Sequence, residues 1–151
     1  MTAATPLSID TQIRCMKAAW PTFDVHGIDR PVQAARWVGH YTPQFTRYRL
    51  EIRYRLGGRP EVRILSPALV RLPGNAEGAL PHVYPPADDP TLCIYDPEAA
   101  QWDWSMPIAT TIVPWSFDWI ACYELWLITG NWTGGGRHAG DLPTPEPSRH
   151  P

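Results

Sequence analysis

Cysteine is scarce in this chain. Its three residues, Cys15, Cys93 and Cys122, show no CxxC spacing and leave one over in any pairing. That excludes a secreted disulfide scaffold and suits a reducing compartment. Charge of one sign is lacking too. Thirteen Lys and Arg against fifteen Asp and Glu leave a net charge of −2, so there is no general electrostatic case for nucleic acid. Nor is there a long apolar run: the longest, Trp119 to Ile128, is broken by Glu124 and is too short to cross a bilayer. Met1 to Asp10 lacks the basic start and apolar core of a signal peptide. The expectation is a cytoplasmic protein with no membrane and no nucleic-acid partner. No internal repeat is visible.

Proline and tryptophan are what the sequence has in plenty, eighteen and eight in 151 residues. Many prolines imply long shaped loops, and many tryptophans imply a core partly built of large rings. With 44% apolar residues the chain can bury a single core, and an α+β domain is expected over residues 1–136. Residues 137–151, polar and proline-rich, read as a flexible tail.

Ser8 can cap a helix with Asp10 in its first turn, and Ile9, Ile13, Met16 and Trp20 form one apolar stripe that Pro21 ends. Cys15 lies off that stripe and reads as a flank residue. Residues 21 to 34 look irregular, and Ala35 to Tyr41 reads as a strand. Tyr48, Leu50, Ile52, Tyr54 and Leu56 alternate with Arg49, Glu51, Arg53 and Arg55, the pattern of a half-buried strand that Glu61 to Leu65 answers. A three-residue loop, Gly57-Gly58-Arg59, sets Tyr54 opposite Val62, Ile52 opposite Ile64 and Arg55 opposite Glu61, the last pair contributing about 0.2–1 kcal/mol. The basic row on that strand reads as a solvated face before a partner surface. Ala68 to Leu72 suggests a further short strand. Ser105 and Pro107 suggest a helix start, with Pro114 interrupting the apolar segment Ile108 to Val113. Ser116 then reads as the cap of a long helix, Phe117 to Thr129, closed by Gly130, with Cys122 in its core face.

The chemistry concentrates between Pro81 and Pro107. A proline-paved segment holding His82 and Tyr84 delivers Cys93 inside Leu92-Cys93-Ile94, and Asp96-Pro97 turns the chain away. Asp88, Asp89, Asp96 and Asp103 surround the cysteine and would not lower a thiol pKa. Such a nucleophile suits an acyl group that is already activated. A zinc site from His82, Cys93 and His138 lacks a close ligand pair. A protease dyad of Cys93 with His82 lacks an orienting third group. Trp102 and Trp104 read as packing residues.

The order of these features resembles the ubiquitin-conjugating (UBC) fold: N-terminal helix, antiparallel β-meander, long active-site loop, C-terminal helix. In that family a His-Pro-Asn motif precedes the active cysteine and Trp-Ser-Pro follows it. Here His82 and Cys93 stand at the corresponding places, with Trp104-Ser105-Met106-Pro107 after them. The segments His82-x-Tyr84-Pro85, Leu92-Cys93-Ile94-Tyr95, Ile108-Ala109-x-Thr111-Ile112-Val113-Pro114-Trp115 and Tyr123-Glu124-x-Trp126-x-x-Thr129-Gly130-Asn131-Trp132-x-Gly134 resemble more closely the bacterial UBC-like proteins encoded beside CD-NTases in CBASS anti-phage operons. The resemblance spans about residues 8 to 136. It implies that Cys93 accepts an acyl group as a thioester and passes it to an amine or thiol. It also implies that the acyl group is the C-terminal tail of a CD-NTase or of a ubiquitin-like protein, and that no cofactor and no metal takes part. The oxyanion-supporting asparagine is missing, since the place reads His82-Val83-Tyr84. Tyr84 or His82 would have to substitute for it. The rival expectation is a non-catalytic UBC-like scaffold that holds the same partner.

Overall fold

In the computed structural model, which describes residues 5–133, Ser8 caps the first helix, α1 (Ile9–Ala19). Its hydroxyl accepts a hydrogen bond from the Thr11 amide at 3.1 Å, and Asp10 and Lys17 complement the two ends of the helix dipole. Ile9, Gln12 and Met16 are buried on the inner face. Trp20 closes the helix, its indole donating to the Ala109 carbonyl at 2.7 Å.

Four antiparallel strands come next, in sequence order: β1 (Asp24–Asp29), β2 (Ala34–Tyr41), β3 (Tyr48–Arg55) and β4 (Glu61–Ser66). β1 corrects the expectation that residues 21 to 34 are irregular. It is an edge strand with a register shift between His26 and Asp29 and is almost wholly exposed, so it carries no alternation to read. Trp37, Leu50 and Ile52 lie on one face and are fully buried, with Trp37 paired to Ile52 and Gly39 to Leu50. Gly39 is required there, because a Cβ would stand 2.4 Å from the Phe23 ring.

The β3–β4 register also differs from expectation. Ile52 pairs with Val62, Leu50 with Ile64 and Arg53 with Glu61, a shift of two residues. A shift of two leaves every side chain on its expected face, so the hydrophobic pattern does not distinguish the two registers. The connection is residues 56–60, with a turn closed by the Gly58 amide on the Arg55 carbonyl at 2.9 Å and Gly57 at φ 96°. On the outer face Glu51 takes both Arg36 and Arg53, at 3.2 and 3.4 Å, while Arg63 takes Glu61 and Asp89. Of the basic row on β3, Arg53 is thus tied to the buried Glu51 carboxylate, while the more exposed pairs of Arg63 have a small net effect.

Residues 68–72 form no strand. Two of their amides bond outside any ladder, Val70 donating to the Tyr123 hydroxyl and Leu72 to the Ala79 carbonyl, both at 2.7 Å. Ser105 starts no helix; its amide and hydroxyl both donate to Asp103. Pro107 leads instead into a 3₁₀ turn, Ile108–Thr110, which runs on to α2 (Ile112–Thr129). Pro114 does not interrupt α2, because it sits in the first turn, where an amide has no intrahelical acceptor; the ladder begins with the Trp115 amide on Thr111. Ser116 is inside the helix and donates to the Ile112 carbonyl at 2.6 Å. Gly130, at φ 75°, closes it. The core lies between the sheet and α2, around the fully buried rings of Trp37, Trp119 and Trp126. The expected tail, residues 137–151, lies outside the described residues.

Candidate functional site: a buried thiol beside a groove

The proline-paved segment folds into a small hairpin of β5 (Val83–Tyr84) and β6 (Thr91–Leu92). Val83 faces Leu92 and Tyr84 faces Thr91. One step further, the Cys93 amide donates to the His82 carbonyl at 2.9 Å. That carbonyl also accepts the Trp119 indole of α2 at 2.9 Å, so His82 is clamped from two sides in the left-handed conformation, φ 56°. Its ring packs on Trp132 at 4.7 Å. Asp89 donates its amide to Pro86 and receives Arg63, and Arg71 donates to the Ala87 carbonyl, bracing the far end of the loop. Downstream, the buried Asp96 accepts the Glu98 amide at 2.9 Å and turns the chain away, as its Asp-Pro sequence suggests.

Cys93 is 1% exposed. A thiol displayed at the loop surface is therefore not what the fold provides. Sγ lies 3.4 Å from the Tyr84 hydroxyl and 3.7 Å from the Tyr95 carbonyl, both acceptors for the thiol proton. Tyr84 is itself a wall of a groove of about 490 Å³, whose other walls include Arg59, Pro60, Leu92, Ile94 and Tyr95. Tyr84 lines that groove, and Cys93 is not among the lining residues. Burial, reinforced by the hydrogen bond and proximity of Cys93, pushes the Tyr84 phenol well above its ordinary value, and the Arg59 cation opposes this only in part. Tyr84 therefore stays protonated across the physiological range, a hydrogen-bond donor and not a base.

Of the three residues singled out in the sequence, Tyr84 meets Cys93 through its side chain and His82 meets it through the main chain. Trp102 packs as expected, edge-on to Tyr54 at 5.6 Å. Trp104 does not: it is 42% exposed, and its indole donates to the Gly58 carbonyl at 3.3 Å. Arg59 and Trp119 escaped the sequence reading as site residues. Arg59 sat in a hairpin loop read with the wrong register, and Trp119 passed for one more ring on an apolar helix face. Cys15 and Cys122 stand as flank and core residues, half-buried and buried. His138, the third candidate zinc ligand, lies outside the described residues. Among the described residues no group of three His, Cys, Asp or Glu side chains is placed to hold a metal ion, and no helix is long and apolar enough to cross a membrane.

The protein family described as Type II CBASS E2 protein matches this chain over residues 12–139, a span that takes in α1 from Gln12 onward, the sheet, the cysteine hairpin and α2. The chain belongs to the Type II CBASS E2 family. A search of curated proteins finds no match. Membership implies an E2-like role in CBASS. Within this CBASS E2 protein, Cys93 is buried between Leu92 and Ile94, two residues that line the groove, while Cys15 lies on α1 and Cys122 on α2.

Proposed function

We propose that this CBASS E2 protein is a ubiquitin-conjugating-like acyltransferase of the cytoplasm, with Cys93 as its nucleophile. The Cys93 sulfur attacks the activated C-terminal carbonyl of a partner; the C–S bond forms, the bond to the activating group breaks with its electron pair, and the thiol proton leaves with that group or to water. An amine or a second thiol then attacks the thioester and releases the sulfur. The partner is a CBASS CD-NTase presenting its tail, and the setting is anti-phage defence. Tyr84 takes the part of the missing asparagine, donating to the oxyanion that develops beside it. His82 keeps the cysteine in place through its carbonyl. The observation that carries the reading is the 3.4 Å approach of the Tyr84 hydroxyl to Sγ at a groove wall.

The test is an adduct with the partner. Wild-type protein yields one that reductant cleaves, Cys93→Ser yields an ester that resists reductant, and Cys93→Ala yields none while still binding the partner. One observation favours the rival scaffold reading, namely that the thiol is 1% exposed. Full phage protection by Cys93→Ala would establish the scaffold instead.

A further inference from the structure

Three cavities meet on one side of the molecule, and Arg59 lines all of them. It is held in place from both sides. Pro60, buried next to it, restricts its backbone, and the carbonyl of Gly58 before it accepts the Trp104 indole. Its guanidinium stands over the Tyr84 ring, 5.8 Å from the centroid, so the cation overlooks the phenol that touches Cys93.

The nearby acids are engaged elsewhere. Glu61, in the same groove, pairs with Arg63 at 3.2 Å. Asp103, in the neighbouring cavity, accepts both the amide and the hydroxyl of Ser105, which hold its carboxyl below the ordinary range. Among the described residues Arg59 makes no ion pair. An exposed cation that makes no ion pair among the described residues, set over a neutral phenol that touches Cys93, is a receptor for an anion.

We propose that Arg59 is the anion-binding residue of the groove, holding the phosphate of an incoming acyl phosphate ester, the group that departs with its electron pair when the thioester forms. This rests on the reading of Cys93 as the nucleophile. It adds a recognition element supplied by the β3–β4 hairpin and lying outside the cysteine loop.

Two alkylating reagents that differ in charge test it. Iodoacetate is anionic and iodoacetamide neutral, so the ratio of their rates at Cys93, read by peptide mass, reports the local cation and cancels any change in thiol reactivity. Arg59→Ala should lower that ratio roughly three- to fivefold, the effect of an interaction near 1 kcal/mol. Arg59→Lys should largely keep it, and the ratio at Cys15 should not move. Inorganic phosphate should compete with iodoacetate at Cys93 in the wild-type protein and not in Arg59→Ala; no competition in the wild type overturns the phosphate assignment. An unchanged ratio in Arg59→Ala overturns the proposal, as does a Cys93 inert to both reagents. An unchanged ratio beside a retained partner adduct removes Arg59 alone; loss of the adduct from the wild-type protein removes the thioester reading itself.

Discussion

The indole of Trp119 and the amide of Cys93 share one acceptor, the His82 carbonyl, each at 2.9 Å. A fully buried helix residue is thereby tied to the backbone of the cysteine loop, and His82 is held in a conformation that non-glycine residues seldom adopt. Trp119→Phe keeps most of the ring and deletes the donor. The expected result is a loss of about 1–2 kcal/mol in denaturant unfolding and faster alkylation of Cys93 by iodoacetamide. Unchanged alkylation would show that the clamp does not hold the loop.

Tyr84 has two separable parts. Its hydroxyl accepts the Cys93 thiol at 3.4 Å and is the proposed oxyanion donor, and its side chain lines the groove. Tyr84→Phe should slow conjugation roughly 100-fold, with partner binding unchanged, as removal of an oxyanion donor does elsewhere. Tyr84→Ala should in addition raise the alkylation rate of Cys93, because the side chain that lines the groove and touches the sulfur is gone. Single-turnover adduct formation and peptide-mass kinetics read the two effects independently.

Gln12 is wholly buried and joins α1 to the segment beyond the cysteine loop. Its amide donates to the Met106 carbonyl at 3.1 Å, and its oxygen accepts the Ile108 amide at 2.9 Å. Gln12→Leu leaves both main-chain groups buried without these partners. A cost of about 2–4 kcal/mol in urea unfolding is expected, with no direct effect on thiol chemistry.

Gly39 allows β2 to lie against Phe23. Gly39→Ala would place a methyl 2.4 Å from that ring, and the ring is itself wedged between Trp20 and Phe117. Overpacking of about 1–3 kcal/mol is expected, visible as a lowered melting temperature. An unaltered melting temperature would show that the Phe23 ring can move aside at little cost.

Much of the fold was legible in the sequence, for identifiable reasons. Ser8 and the Ile9–Met16 stripe marked α1, the unbroken alternation from Tyr48 marked β3, and Gly130 marked the end of α2. The features that escaped lacked a local signal. β1 is exposed at the sheet edge and needs no alternation. The hairpin register moved by two residues, which period-two patterning cannot detect. Pro114 reads as a break but is harmless in a first turn. The sequence order of His82, Tyr84 and Cys93 matches their meeting in one hairpin, whereas the burial of the sulfur depends on packing between segments, which spacing does not encode.

Trapping the acyl–enzyme tests the central claim most directly. The purified protein is mixed with its activated partner, quenched in acid without reductant, digested and mapped by mass spectrometry, with a hydroxylamine-treated half as control. The account predicts the partner's C-terminal peptide on Cys93, lost on hydroxylamine treatment and absent from Cys15 and Cys122. A partner that is bound and processed normally while Cys93 stays a thiol throughout would contradict it.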